Sequence, residues 1–158
     1  MRIRKFRVWY RAKNKMIYNC CFNKQYVFSY TNNAGEQTVY PIDDCIIMEA
    51  TGIYDNTKFK NLPPDKKEEF LKSHNEEDWN GTEIYEGDVV KVRFSKDISE
   101  YSVVSYSSHN AQYWKGSNAL SSYQKLTSVV GNLYEGYPDA AKRDVEYYKK
   151  YIMEIENE

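Results

Sequence analysis

Asn80-Gly81-Thr82-Glu83-Ile84-Tyr85-Glu86-Gly87-Asp88-Val89-Val90-Lys91-Val92-Arg93-Phe94 is the stretch that decides the fold. Asn80-Gly81 is a turn signal, because both residue types tolerate positive φ. Gly87-Asp88 makes a second turn, after which Val90, Val92 and Phe94 fall on one face of a strand. A turn feeding a strand in this way predicts a mainly β protein, with an SH3-like or pseudo-barrel β-domain at its centre.

Working outward, Phe6, Val8 and Tyr10 alternate with Lys5, Arg7 and Trp9, so a strand is predicted with the first set facing inward. Lys13-Asn14-Lys15 turns it into Met16-Ile17-Tyr18, giving an opening hairpin. Tyr26–Tyr30 is the next strand, and the polar run Thr31–Gly35 returns it into Gln37–Tyr40. The apolar run Cys45–Met48 reads as a buried strand in a block that Gly52 closes. Beyond Phe94, strands are expected at Tyr101–Tyr106, Gln112–Trp114 and Leu126–Val130, with Gly131-Asn132 breaking the last.

Two segments read as helix. Pro63-Pro64 followed by Asp65–Lys72 places proline in a first turn, with Phe70, Leu71 and Leu62 as its anchors. After Pro138, the residues Ala141, Val145, Tyr148, Ile152 and Ile155 are spaced 4, 3, 4 and 3, an apolar stripe on an amphipathic helix. That stripe must cover the barrel, pair with another subunit or grip a partner. The predicted organisation is a β-rich domain over 1–135, a helical insertion at 56–79 and a C-terminal helix at 136–158.

Sixteen tyrosines supply most of an aromatic share of 16%. Tyrosine suits half-buried strands and contact surfaces, where its hydroxyl finds a partner. No stretch approaches the roughly 20 apolar residues that span a bilayer, so no membrane role is predicted. An odd cysteine count with Cys20 and Cys21 adjacent argues against a disulfide scaffold and for a reducing cytoplasm.

With 22 basic and 23 acidic residues the total charge is near zero, but its distribution is uneven. Residues 1–24 hold Arg2, Arg4, Lys5, Arg7, Arg11, Lys13, Lys15 and Lys24 and no acid, whereas residues 36–100 hold 16 acids against 8 bases. Two explanations follow: a basic patch for an anionic partner, or complementary faces that meet within the fold or between subunits. The near-neutral total favours the second.

Motifs for chemistry are scarce. Glu83, Glu86 and Asp88 cluster, but in this context Asp88 is expected to accept backbone amides of its own turn. His74 and His109 are isolated, and the cysteines form no Cys-x-x-Cys pair, so no metal site is predicted. The run Ser105–Ser108 beside His109 lacks an orienting acid, and neither a P-loop nor Gly-x-Gly-x-x-Gly occurs. No catalytic residue and no cofactor are therefore assigned.

Several separated motifs then converge on one family. Arg4-Lys5-Phe6-Arg7-Val8-Trp9 is followed by Lys15-Met16-Ile17-Tyr18; Met48-Glu49-Ala50-Thr51-Gly52-Ile53-Tyr54-Asp55 precedes the stretch Asn80–Val90; and Val129-Val130-Gly131-Asn132-Leu133-Tyr134-Glu135 closes the set. In this order they resemble the YopX family of phage and prophage proteins. The resemblance implies a β-rich, barrel-like fold, a mobile-genetic-element origin and production in the cytoplasm of a bacterial host. It supplies no reaction. The chain departs from many members in residues 56–79, which separate two motifs that elsewhere run almost together, and in the long C-terminal helix.

These readings combine into a non-enzymatic interaction protein that binds a host or phage protein and self-associates as a homo-oligomer. The expected interaction surface comprises Lys5, Arg7, Trp9 and Arg11 on the hairpin and Val145, Tyr148, Ile152 and Ile155 on the tail. The alternative is a nucleic-acid-binding barrel, in which the basic hairpin neutralises phosphates and its aromatics stack on bases.

Overall fold

The computed structural model describes residues 4–30, 37–107, 112–115 and 118–150. Its strands form antiparallel sheets. The first is ordered β2-β1-β6-β7, from β1 (Phe6–Tyr10), β2 (Lys15–Ile17), β6 (Cys45–Tyr54) and β7 (Glu83–Tyr85). A smaller one, β3-β4-β5, comprises Cys20–Phe22, Tyr26–Tyr30 and Gln37–Pro41. The third, ordered β11-β10-β9-β8-β12, uses β8 (Asp88–Arg93), β9 (Ser99–Ser107), β10 (Gln112–Lys115), β11 (Asn118–Ala119) and β12 (Thr127–Asn132). This last sheet curls into a half-barrel, so the expected mainly β fold is the one observed.

The hairpin predicted at Lys13–Lys15 forms because Asn14 takes the left-handed conformation, with φ 48°. Val8 is then paired with Ile17 on one side and Ile47 on the other. Together with Val27 and Tyr40 these side chains make the core between the first two sheets. Ile84, Val90, Val104 and Leu120 fill the half-barrel, with β7 reaching in from the neighbouring sheet.

Adjacent Val89 and Val90 are both fully buried, which explains an apolar pair that a one-sided strand would not carry. Val90 points into the half-barrel. Val89 lies under the C-terminal helix α2 (Lys142–Tyr148), packed with Val103, Ala141, Val145 and Tyr148. The tail stripe is thus used, as far as it is described, to cover this chain's own sheet. Burying those side chains contributes roughly 1.5–3 kcal/mol each, which is why the helix docks here.

Three strand details differ from the sequence expectation. Phe94 leaves the face shared by Val90 and Val92, because its N–H bonds the Ile98 carbonyl in the turn after β8; it is largely exposed against Tyr123. Gly52 lies within β6, at φ +76°, instead of ending it. Gly131-Asn132 stays inside β12, where a bulge between Val129 and Gly131 shifts the register.

The inserted helix α1 spans Pro64–Leu71. Phe70 anchors it, with ring centroids 5.2 Å from Trp79 and 6.0 Å from Phe59. Leu62 is buried as expected, but Leu71 is half-exposed and anchors nothing. The Thr31–Gly35 turn, His109, Ile152 and Ile155 lie outside the described residues.

Candidate binding cleft

Strand β1 is covered on both faces. The side carrying Arg7 and Trp9, expected to face solvent, is only 3% and 8% exposed at those residues. Trp9 stacks on Tyr134, with centroids 5.7 Å apart. Arg7 reaches the turn before β8, where its Nη2 donates to Asp88 Oδ1 at 2.7 Å and to the Glu86 carbonyl at 3.1 Å. Its guanidinium lies 4.8 Å from the centre of the Tyr85 ring. Neither residue is an external recognition surface.

Asp88 does accept a backbone amide of its own turn, as expected: Tyr85 N–H bonds its Oδ2 at 2.8 Å. The Arg7 pair was not anticipated. Positive φ at Gly87 (+82°) aims this aspartate into the protein instead of along the surface. Burial pushes the carboxyl up to about 6, against the opposing pull of Arg7 and the Tyr85 amide. Arg7 Nε is buried with no acceptor among the described residues, a deficit that costs about 1–3 kcal/mol.

A second buried carboxylate, Asp55, ties the other end of the same region. Its Oδ1 accepts from the amides of Thr57 at 2.9 Å and Thr82 at 2.7 Å. Its Oδ2 accepts from the Thr57 hydroxyl at 2.8 Å and the Val129 amide at 2.9 Å. Gly81, at φ +111°, must lie against the Asp55 carbonyl for this to happen, since a Cβ there would sit 2.1 Å from that oxygen.

Between these anchors opens a cleft of about 540 Å³. One wall is the β7 edge at Thr82, Glu83 and Tyr85; the facing wall is β12 from Val129 to Asn132. Asn61–Pro63 and Lys66 of the insertion form a third side, and Arg7 and Asp88 also line the cleft. Tyr18 and Glu135, both exposed, complete it. Burial raises the Tyr18 and Tyr85 hydroxyls above their ordinary range, with Arg7 opposing, so both phenols stay neutral donors.

Three further charges of the basic segment meet groups of this chain, while Lys13 and Lys15 of the hairpin are exposed. Arg4 pairs with Glu49 at 2.8 Å and Lys5 with Glu83 at 3.3 Å, while Arg11 donates to the Asp43 carbonyl. Through Arg4, Lys5, Arg7 and Arg11 the basic segment meets the acidic block, the contact expected of complementary faces within one chain. The Glu83, Glu86 and Asp88 cluster does not converge: each carboxylate takes its own partner, Lys5, the Glu49 amide and Arg7 respectively. Among the described residues no group of acids, histidines and cysteines could hold a metal, and no helix is long and apolar enough to cross a membrane. On the tail, Val145 and Tyr148 are buried on the chain's own sheet and offer no outer surface.

Sequence comparison bears on the same strands. Residues 64–137 match the family model described as YopX protein. Over these residues the chain is similar to the YopX family. The matched YopX span holds α1, β7 to β12, Asp88 and Glu135, whereas Arg7 and Asp55 precede it. No curated protein matches the chain. Among solved structures, the crystal structure of protein EF1440 from Enterococcus faecalis is similar at a TM-score of 0.51 and 17% identity, covering 85% of this chain and 96% of that one. This likeness concerns the fold, and its coverage extends beyond the matched YopX span.

Proposed function

We propose that this chain is a non-enzymatic interaction protein that seats a host or phage protein in the cleft between the inserted segment and the barrel. The observation that carries this reading is the way the buried carboxylates are spent. Among the described residues, Asp55 accepts four hydrogen bonds, and Asp88 accepts from Arg7 and from the Tyr85 amide. Acid–base work needs a carboxyl that can reach a substrate proton, and here each oxygen holds architecture. What the cleft offers instead is a polar concave surface with exposed Tyr18, Lys66 and Glu135 at hand. The YopX match supports a phage or prophage origin and work in the cytoplasm of a bacterial cell, with self-association as a further expectation.

Burial of Arg7 and the contacts of Arg4, Lys5 and Arg11 within the chain weigh against the nucleic-acid alternative, because a paired cation releases fewer phosphate counterions, and leave it the exposed Lys13, Lys15 and Lys24. A photo-cross-linking residue placed at Lys66 or Glu135 in the protein expressed in bacterial cells tests the proposal. A discrete protein adduct, absent when the residue replaces Tyr147 on the outside of α2, is expected. Adducts to nucleic acid alone, or none, would overturn it.

A further inference from the structure

Asn80 is exposed, and it is the only asparagine of the chain followed by glycine. Other asparagines spend their side chains locally. Asn23, Asn75 and Asn132 accept nearby main-chain amides, and Asn56 donates to the Lys125 carbonyl. Among the described residues the Asn80 side chain makes no hydrogen bond, and the Gly81 N–H has no acceptor. Both residues line a second hollow, of about 620 Å³, together with Asp55 and Trp79. The next residue, Thr82, exchanges two hydrogen bonds with Asp55. Its N–H meets the carboxylate at 2.7 Å, and its carbonyl accepts the Asp55 N–H at 2.8 Å.

We propose that Asn80 is a site of spontaneous covalent modification, where the Gly81 nitrogen displaces ammonia from the side-chain amide, and that the isoaspartyl product loosens the Asp55 clamp. The Gly81 nitrogen loses its proton to solvent and bonds to Asn80 Cγ; the Cγ–Nδ2 bond breaks and ammonia leaves. Water then opens the imide ring at either carbonyl, giving an aspartyl or an isoaspartyl residue. Nothing is oxidised or reduced, and water is the sole co-reactant. Glycine favours the ring closure because no side chain hinders its nitrogen. In the isoaspartyl form the main chain runs through the side-chain carbons and gains one methylene just before Gly81. There is no slack to absorb it, since a Cβ on Gly81 would already sit 2.1 Å from the Asp55 carbonyl oxygen. The lengthened chain draws Thr82 off the carboxylate that also holds the Val129 amide. This chemistry is independent of whatever the cleft binds.

The test ages the full-length protein in mildly alkaline buffer, with and without urea. Peptide mapping by mass spectrometry locates the change, and an isoaspartyl-specific methyltransferase counts the rearranged product. Expected is conversion of Asn80 ahead of Asn56, Asn61 and Asn75, at a folded-state rate within about threefold of that in urea, because no opening of the fold is needed. Another of these asparagines converting first, or a folded-state rate lower by about tenfold or more, would overturn the site. Hydrogen exchange reads the consequence. The Thr82 and Val129 amides should exchange faster in proportion to isoaspartyl content. They should stay slow in aged Asn80→Gln, whose longer side chain resists ring closure, and in fresh Asn80→Asp, which adds the charge without the methylene. Unchanged exchange in isoaspartyl-rich protein would overturn the loosening, and fast exchange in fresh Asn80→Asp would assign it to charge and overturn the part played by the longer main chain.

Discussion

Arg7 Nη2 donates to Asp88 Oδ1 at 2.7 Å across 81 residues of sequence, with both side chains 3% exposed or less. The pair joins β1 of the first sheet to the start of β8 in the curled sheet. Asp88 also holds the Tyr85 amide, so one carboxylate sets the turn and the packing of two sheets together. Taking two charges out of water is expensive, and such a pair is worth most as a device that fixes one arrangement over others.

Its pH dependence has a definite sign. The native Asp88 carboxyl titrates at about 6, above its ordinary value of 3.8. Between those values the native state holds the proton more tightly than the unfolded chain does. The stability Asp88 contributes is therefore fully present below 3.8 and is lost as pH rises through about 6. Wild type relative to Asp88→Asn should lose on the order of 2 kcal/mol between about pH 4 and pH 7.5, read by urea unfolding at each pH. A difference that does not move with pH would show that Asp88 titrates alike in both states.

Asp55→Asn keeps the size of the side chain and replaces one acceptor oxygen by a donor. At least one of the amides of Thr82, Thr57 and Val129 then loses its partner in a buried place. A loss of about 2–4 kcal/mol is expected. Hydrogen exchange supplies the local readout: the Thr82 and Val129 amides should exchange faster by more than the global change requires. Uniform acceleration would mean that Asp55 does not bridge the two edges.

Much of the fold is legible in residue order, for reasons that also mark where legibility stops. Asn14, Gly81 and Gly87 announce their turns because few residues adopt positive φ. The 4-3-4-3 spacing of the tail finds the face of α2, yet spacing cannot say which surface covers that face; Val89, the apolar residue beside Val90, was the clue that β8 is buried twice. Arg7 was misplaced because alternation assumes that one side of a strand meets water, whereas β1 packs on Val27 and Tyr40 with one face and against Tyr85, Asp88 and Tyr134 with the other. A lone basic residue between Phe6 and Val8 carries no mark of its partner 81 positions away. The uneven charge did carry the coarse message, that a basic N-terminus meets an acidic block. Asp55 gave no signal, since four accepted hydrogen bonds arise only once β6, the Thr82 loop and β12 converge.

Two glycines should show different sensitivities. A Cβ at Gly81 would meet the Asp55 carbonyl at 2.1 Å in a left-handed conformation, whereas at Gly136 it would meet nothing, with φ +130° the only strain. Gly81→Ala should cost on the order of 3 kcal/mol or more, and Gly136→Ala about 1 kcal/mol. Thermal unfolding of both variants checks the order, and equal losses would contradict the close approach at Gly81.

The docking of α2 predicts that Val145→Ala destabilises the protein by about 1–3 kcal/mol, because its side chain is fully enclosed beside Val89 and Val103. Unfolding followed by denaturant reads the loss. An unchanged midpoint would mean that the helix leaves the sheet in solution and presents its stripe elsewhere.

The most direct test of the account is a double-mutant cycle on Arg7→Met and Asp88→Asn, with unfolding free energies measured in urea at neutral pH. The account predicts that Arg7→Met alone costs about 3–5 kcal/mol, since Asp88 is left buried without its guanidinium, and that the double variant is more stable than the sum of single losses by at least about 2 kcal/mol. Single losses that add to within about 0.5 kcal/mol would contradict it, placing Arg7 in water and reopening the hairpin as an outer surface.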